Sequence, residues 1–358
     1  MRTLRWLSVP LAACALLAPA CSDSDGEDAF ITTSSAPSTS APASTDTTPT
    51  TTAAPTTVAP TSSVSVPDTN DPLMASQWAV GSLRLPEAWS RGATGEGTVI
   101  AVVDTGVDLD HPDLQGKLVP GYDVVDGDDL PDDGNGHGTH VAGIAAATTG
   151  NGIGVAGTAP GAKIMPVRVL GDDGSGSDEA IAEGIDWAID NGADVINLSL
   201  GETGVIARLS KGGPLNAAIR RAAAEDVVVV AASGNEGAAK RAYRIGVPVL
   251  VVNAVDQSGE VASFSNVGDQ RAVSAPGVQI LSTAPLTPSN IWPDGTDGYE
   301  ELDGTSMAAP LVSGVAAILV GRGYDVAEVI ERISSTADNP DGDPAKGAGT
   351  VDPVEAAG

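Results

Sequence analysis

Beyond its first 21 residues the chain contains no cysteine; Cys14 and Cys21 are the only two in 358 residues. Disulfides, thiolate metal ligands and a cysteine nucleophile are thereby excluded from the remainder. Aromatic residues are scarce too, at 3%, so a core must be built from Val, Ile, Leu and Ala. Basic residues are few: 18 Lys and Arg stand against 47 Asp and Glu, for a net charge of −29. That balance excludes a basic nucleic-acid surface and argues against electrostatic docking on anionic lipid. Histidine occurs three times, at His111, His137 and His140.

The apolar stretch 6–17 follows Arg2 and Arg5, is interrupted by Pro10, and is too short for a stable transmembrane span. It ends in Ala18-Pro19-Ala20-Cys21, so residues 1–21 read as an export signal. Two readings of its end stand: a lipoprotein signal with Cys21 lipidated after cleavage, or an ordinary secretory signal with Cys21 incidental. The first makes a cell-envelope lipoprotein whose only membrane contact is the lipid; the second makes an extracellular protein. Residues 22–70 form a linker. Of the 36 residues from 31 to 66, 31 are Ser, Thr, Pro or Ala, a composition that cannot bury enough apolar surface to offset chain entropy. The remainder, 71–358, is long enough for one large domain, expected to be monomeric. An exported domain without disulfides needs another staple, such as bound metal or a large core.

Val/Ile-rich runs of buried-strand length occur at 98–104, 162–170, 193–200, 226–233 and 247–255. Helical patterns lie between and after them, at 177–192, 215–226 and 306–320, and a further helix is expected to begin at His137 in HGTHVAGIAAA. Alternating strands and helices predict an α/β fold with a mostly parallel central sheet and helices on both faces. In such sheets the site lies beyond the carboxyl ends of the strands. The polar residues fall there: Asp104 ends the first run, Ser199-Leu200-Gly201 the third, Ser233-Gly234-Asn235 the fourth, while His137 and Ser306 begin helices.

These residue types suit nucleophilic catalysis. A serine nucleophile needs a base within reach and a carboxylate to orient that base. Ser306 at a helix start sees the positive end of the helix dipole, which favours an oxyanion. His137 is the base, Asp104 its orienter, and Asn235 on a Gly-flanked turn the oxyanion donor. A zinc site on His137 and His140 is the competing reading. It lacks a ready third ligand, because His111 is the one other histidine and there is no mature cysteine.

AVVDTGVDLDHPDL with Asp104, GNGHGTHVAG with His137, AASGNEG with Asn235 and LDGTSMAAP with Ser306 resemble, in this order, the motifs of subtilisin-family serine proteases (subtilases, peptidase family S8), nearest to the thermitase-like branch. The resemblance spans about 71–355. It implies a subtilisin-like three-layer sandwich and a serine endopeptidase acting on polypeptides. Backbone groups of 197–201, including Asn197, Ser199, Leu200 and Gly201, would add the substrate as a strand, and Ala232, Ser233 and Gly234 would flank the side chain before the scissile bond. It also implies calcium as the missing staple. One site would use Asp71, Asp113 and Asn151 with the carbonyls of Thr149, Ile153 and Val155. A second candidate uses Asp123, Asp126 and Asp128 with the carbonyls of Leu130 and Asp132, against the bland alternative of a solvated acidic turn. His140, His111, Asp108 and Asp110 are expected to be structural. A non-catalytic scaffold with the same fold is the alternative to an enzyme. Two departures from the family pattern stand out. The stalk occupies the place of a folded inhibitory propeptide, and AAKRAYRIGVPVLVV follows AASGNEG, so that Arg241 or Arg244 enters the specificity question.

Overall fold

The computed structural model describes residues 69–200, 213–238, 248–268 and 271–358. The readings placed on Cys21, on the signal, on nearly all of the linker, on Gly201 and on Arg241 and Arg244 lie outside these residues. The five Val/Ile-rich runs are all strands: β1 (Val99–Asp104), β3 (Lys163–Arg168), β4 (Val195–Leu198), β5 (Val228–Ala232) and β6 (Leu250–Val255). Two short strands that periodicity does not reveal, β2 (Tyr122–Asp123) and β7 (Val273–Pro276), complete a seven-stranded parallel sheet in the order β2-β3-β1-β4-β5-β6-β7. A separate antiparallel pair, β8 (Ile280–Thr283) and β9 (Tyr299–Leu302), adds a ribbon.

Side chains alternate across the sheet as strand geometry requires. Ile100, Val102, Val195, Val228 and Val230 enter one core; Ala101, Val103, Ile196, Val229 and Ala231 enter the other. Helices α1 (Trp78–Ser82), α2 (Leu85–Ser90) and α3 (His137–Ala146) contribute to the first layer. Helices α4 (Asp178–Asp190) and α5 (Pro214–Ala224) cover the second, and α6 (Thr305–Val320), α7 (Val326–Ser335) and α8 (Pro353–Ala357) return to the first. The result is an α/β three-layer sandwich. Each aliphatic side chain fully removed from water contributes roughly 1.5–3 kcal/mol, which lets a core poor in aromatics hold without disulfides.

Local chemistry sets the element ends. Ser177 accepts a hydrogen bond from the Ala180 N–H, 3.0 Å, and starts α4. Asp325 and Glu328 form a reciprocal capping box on α7. Helix α6 is different: all but the last of its residues are buried, so it threads the first layer rather than lying on it. It carries Ser306 at its second position. Among the described residues no helix is long and apolar enough to cross a membrane.

Candidate active site

The carboxyl end of β1 meets the amino end of α3 at a glycine. A side chain at Gly138 would strike the Gly106 carbonyl and crowd the Asp104 Cβ, 3.3 Å away, so only hydrogen fits there. This approach brings His137 Nδ1–H to the buried Asp104, donating to Oδ1 at 2.7 Å. The Thr105 N–H donates to the same oxygen at 2.8 Å. Burial opposes the imidazolium, but the charge and hydrogen bond of Asp104, with Asp133 adding, carry the His137 pKa above its ordinary value. The ring is 22% exposed, so one edge remains open to a substrate.

His140, one turn on, has a different environment. Its Nε2–H donates to the Glu300 carbonyl, 3.0 Å, and burial pushes its pKa down to about 3. His111 donates from Nε2 to the Gly298 carbonyl, 2.9 Å, and accepts the Asp113 N–H at Nδ1, 3.1 Å. The three histidines thus face three separate partners, and nothing draws His137 and His140 onto one metal.

Ser306 lies in the first turn of α6, and Pro310 stands four residues later. Proline has no N–H, so the Ser306 carbonyl loses its usual helical partner. The Ser199 hydroxyl replaces it, donating at 2.8 Å. Ser306 Oγ in turn donates to the Ser199 carbonyl, 3.1 Å. The Asn197 amide donates to Ser199 Oγ, 2.9 Å, and its oxygen accepts from the Ser313 hydroxyl, 2.8 Å. This buried network welds the end of β4 to the helix that carries Ser306. In this arrangement Ser306 Oγ is engaged with the Ser199 carbonyl. Asn235 is fixed from the same turn. Its Oδ1 accepts from the Thr305 N–H and the Thr305 hydroxyl, both 2.9 Å, which leaves the amide NH2 as the group the side chain offers.

The substrate-edge expectation needs a correction at Asn197. This residue lies inside β4, paired with Val102 on one side and Val230 on the other, and cannot add a further strand. Its side chain serves the internal network instead. Ser199 and Leu200 lie past the end of β4, both buried, with Leu200 packed in the second core. Ala232 ends β5, Ser233 and Gly234 follow it, and the Gly234 N–H donates to the Thr305 hydroxyl, 3.1 Å, which places this corner beside the turn that holds Ser306.

Two acidic clusters flank the site. Asp71 and Asp113 are both buried. Asp71 accepts N–H groups of Gly150, Asn151 and Gly152, while Asp113 accepts from the Asn151 amide, 2.7 Å, and the Val155 N–H, 2.8 Å. Neither forms an ion pair among the described residues. Burial pushes the Asp113 pKa up, and nearby Asp71 adds to the rise against the lowering hydrogen bonds. Two buried carboxylates without an ion partner, beside an Asn side chain and a loop rich in carbonyls, are of the residue types a hard cation takes. N–H groups and the Tyr299 hydroxyl meet the carboxylates, however, and the Ile153 N–H meets the Asn151 oxygen. Thr149, Ile153 and Val155 belong to that loop.

The second cluster differs in holding a guanidinium. The Arg168 guanidinium donates to Asp123 at 2.6 Å, Asp126 at 2.7 Å and Asp172 at 2.9 Å. Burial works against its charge, but the bonds to Asp123 and Asp126 outweigh this and raise its pKa. The Leu130 carbonyl accepts the Asp132 N–H, 2.8 Å, and Asp128 Oδ1 accepts the Leu130 N–H, 2.9 Å. Of the residues expected for a second site, Asp123 and Asp126 are thus paired with a cation of the chain, while Asp128, Leu130 and Asp132 lie outside that pairing.

Two contributors escaped sequence reasoning. Asp133 is a buried carboxylate four residues before His137, lost in a run of acidic residues. Trp292, from the loop joining β8 and β9, packs on Gly136 and stacks 6.4 Å from the His140 ring. The adjacent N–H groups of Asn290 and Ile291 donate to the Gly134 and Asn135 carbonyls, both 3.0 Å. Proximity of a rare Trp to a histidine 152 positions away leaves no local signature.

Comparison with known proteins agrees with this geometry. The profile of the Subtilase family matches residues 95–349. Thermitase of Thermoactinomyces vulgaris is 46% identical over 275 residues, covering 75% of this chain and 91% of thermitase. A thermophilic serine proteinase of Bacillus sp. (strain AK1) is 46% identical over 252 residues, 70% of this chain and 59% of that protein. Among solved structures, a protease from Pseudoalteromonas arctica PAMC 21717 superposes with a TM-score of 0.71 at 36% identity, covering 82% of this chain and 99% of the other. Fervidolysin from Fervidobacterium pennivorans, a keratinolytic enzyme related to subtilisin, gives 0.70 at 34% identity over 82% of this chain and 47% of its own.

Proposed function

The chain belongs to the subtilase family of serine endopeptidases, and from that premise we propose that it is an exported enzyme that cleaves polypeptides through Ser306, His137, Asp104 and Asn235. One observation carries the reading: Asp104 and His137 meet at 2.7 Å, and Asn235 Oδ1 accepts from Thr305, the residue before Ser306, at 2.9 Å. Ser306 Oγ attacks the scissile carbonyl and its proton passes to His137 Nε2. Asp104 holds Nδ1–H and stabilises the imidazolium. The oxyanion is met by the Asn235 amide and the positive end of α6. Collapse of the tetrahedral intermediate breaks the C–N bond as His137 returns the proton to the leaving amine. Water then repeats the sequence on the acyl-enzyme. The substrate lies extended against the segment after β4, with the corner at Ala232–Gly234 beside its side chain.

Calcium bound by Asp71, Asp113 and Asn151, with carbonyls of Thr149, Ile153 and Val155, supplies the counter-charge that the loop lacks and staples it to the N-terminal segment. The signal-like residues 1–21 and Cys21 support a location outside the cytoplasm, either tethered by lipid through the stalk or released. Mass spectrometry of the mature N-terminus separates these outcomes. The activity itself is tested by a serine-directed covalent inhibitor followed by peptide mapping. Label on Ser306, with loss of more than about a thousandfold of activity in Ser306→Ala, is expected. Undiminished proteolysis by pure Ser306→Ala overturns the reading.

A further inference from the structure

Asp104 serves the imidazole of His137, and a second buried carboxylate stands nearby without a role in the chemistry above. Asp133 is 6% exposed. Its Oδ1 accepts from the N–H groups of Asn135, 3.1 Å, and Gly136, 2.8 Å, and from the Thr105 hydroxyl, 2.8 Å. Its Oδ2 accepts from the Thr139 N–H, 2.8 Å, and the Thr139 hydroxyl, 2.6 Å. Five donors are far more than a solvated surface carboxylate collects, and they come from two different elements. Thr105 follows Asp104 at the end of β1, and its hydroxyl also accepts the Gly138 N–H, 3.0 Å. Gly136 and Thr139 bracket His137 at the start of α3. One carboxylate is therefore tied to both backbones that carry the Asp104–His137 pair. It also places negative charge at the helix N-terminus, where the dipole favours it.

We propose that Asp133 is a positioning residue for proteolysis: its carboxylate locks the first turn of α3 against the end of β1 so that His137 meets Asp104, and its charge supports the imidazolium formed when Ser306 gives up its proton. This rests on the serine-protease reading above. A role confined to capping the helix would alter stability alone. The ionisable groups facing His137 are Asp104 from β1, Asp133 from the loop ahead of α3 and His140 from the next turn of α3. Asp172, beyond Gly134, is held by Arg168. Burial pushes the Asp133 pKa up while the hydrogen bonds from Gly136, Thr139 and Thr105 work the other way. At the pH where a subtilase-type base operates, the donor-only surroundings select the ionised form.

The test compares the full chain with its Asp133→Asn, Thr105→Val and Ser306→Ala variants, by steady-state kinetics on a peptide substrate across the acidic limb and by thermal unfolding. Asp133→Asn is expected to lower kcat roughly ten- to a hundredfold with KM changed less than about twofold. It should also move the acidic limb of kcat/KM to lower pH, because a charge that favours the imidazolium is lost. Thr105→Val, which cuts the tie to β1 and keeps the charge, is expected to lower kcat without moving the limb. A folded Asp133→Asn variant with wild-type kcat and limb overturns the proposal, even if it melts earlier. Should that variant fail to fold, wild-type kcat in Thr105→Val overturns it. Activity that survives Ser306→Ala is a separate failure, that of the serine-protease reading.

Discussion

The loop around Asp71 and Asp113 and the turn around Asp123 and Asp126 are built from the same residue types and solve opposite electrostatic problems. In the turn, Arg168 reaches out from β3, pairs with the buried Asp123 at 2.6 Å and shares its one positive charge with the exposed Asp126 and Asp172 at 2.7 and 2.9 Å. In the loop, N–H dipoles surround two buried carboxylates, and neither carboxylate is ion-paired among the described residues. A run of aspartates therefore says little about metal until the position of the nearest guanidinium is known. Burial raises the stakes in both places, because an uncompensated charge in a low-dielectric interior costs several kcal/mol.

The largest expected effect tests the self-neutralised side. Arg168→Ala leaves the buried Asp123 without its partner and should cost about 3–5 kcal/mol in denaturant unfolding, with or without chelator. Acid sets the conditions for any such measurement. His140 has a folded pKa near 3 against about 6.5 unfolded. The unfolded chain binds the extra proton, so this contribution is complete above about pH 6.5 and is lost as pH falls toward 3, up to roughly 5 kcal/mol. A flat stability profile between those limits contradicts it, and the two clusters are best compared at neutral pH. Chelation tests the open side: a calcium chelator should lower stability by about 2.7 kcal/mol if calcium was present at a hundred times its Kd. Asp113→Asn should abolish that response, while Asp126→Asn should preserve it. A chelator response lost in Asp126→Asn instead reverses the assignment of the two clusters. The smallest effect belongs to Asp128→Asn, within about 0.5 kcal/mol, since its side chain caps a turn and lies outside the Arg168 pairs.

Much of this architecture was legible in the sequence. The five Val/Ile-rich runs are strands because their β-branched side chains are buried on both faces, and the polar residues at their ends converge as parallel topology demands. The pairing of Asp104 with His137 was legible for the same reason. What escaped notice involved partners distant in sequence or signals too short to be periodic. Four-residue strands such as β7 carry no measurable alternation. Arg168 lies 45 positions from Asp123, so a compensated cluster and a metal site look alike along the chain. Asn197 looked like an edge residue from its motif, but the strands on both sides of β4 are assigned only by the fold.

Pro310 bears on the order in which the enzyme acquires its activity. By leaving the Ser306 carbonyl to the Ser199 hydroxyl, it exchanges a contact made within one helical turn for one that spans 107 residues of chain. The turn that holds Ser306 is closed by a residue just past the end of β4, a strand held between β1 and β5. Activity is thus made contingent on the assembled centre of the domain.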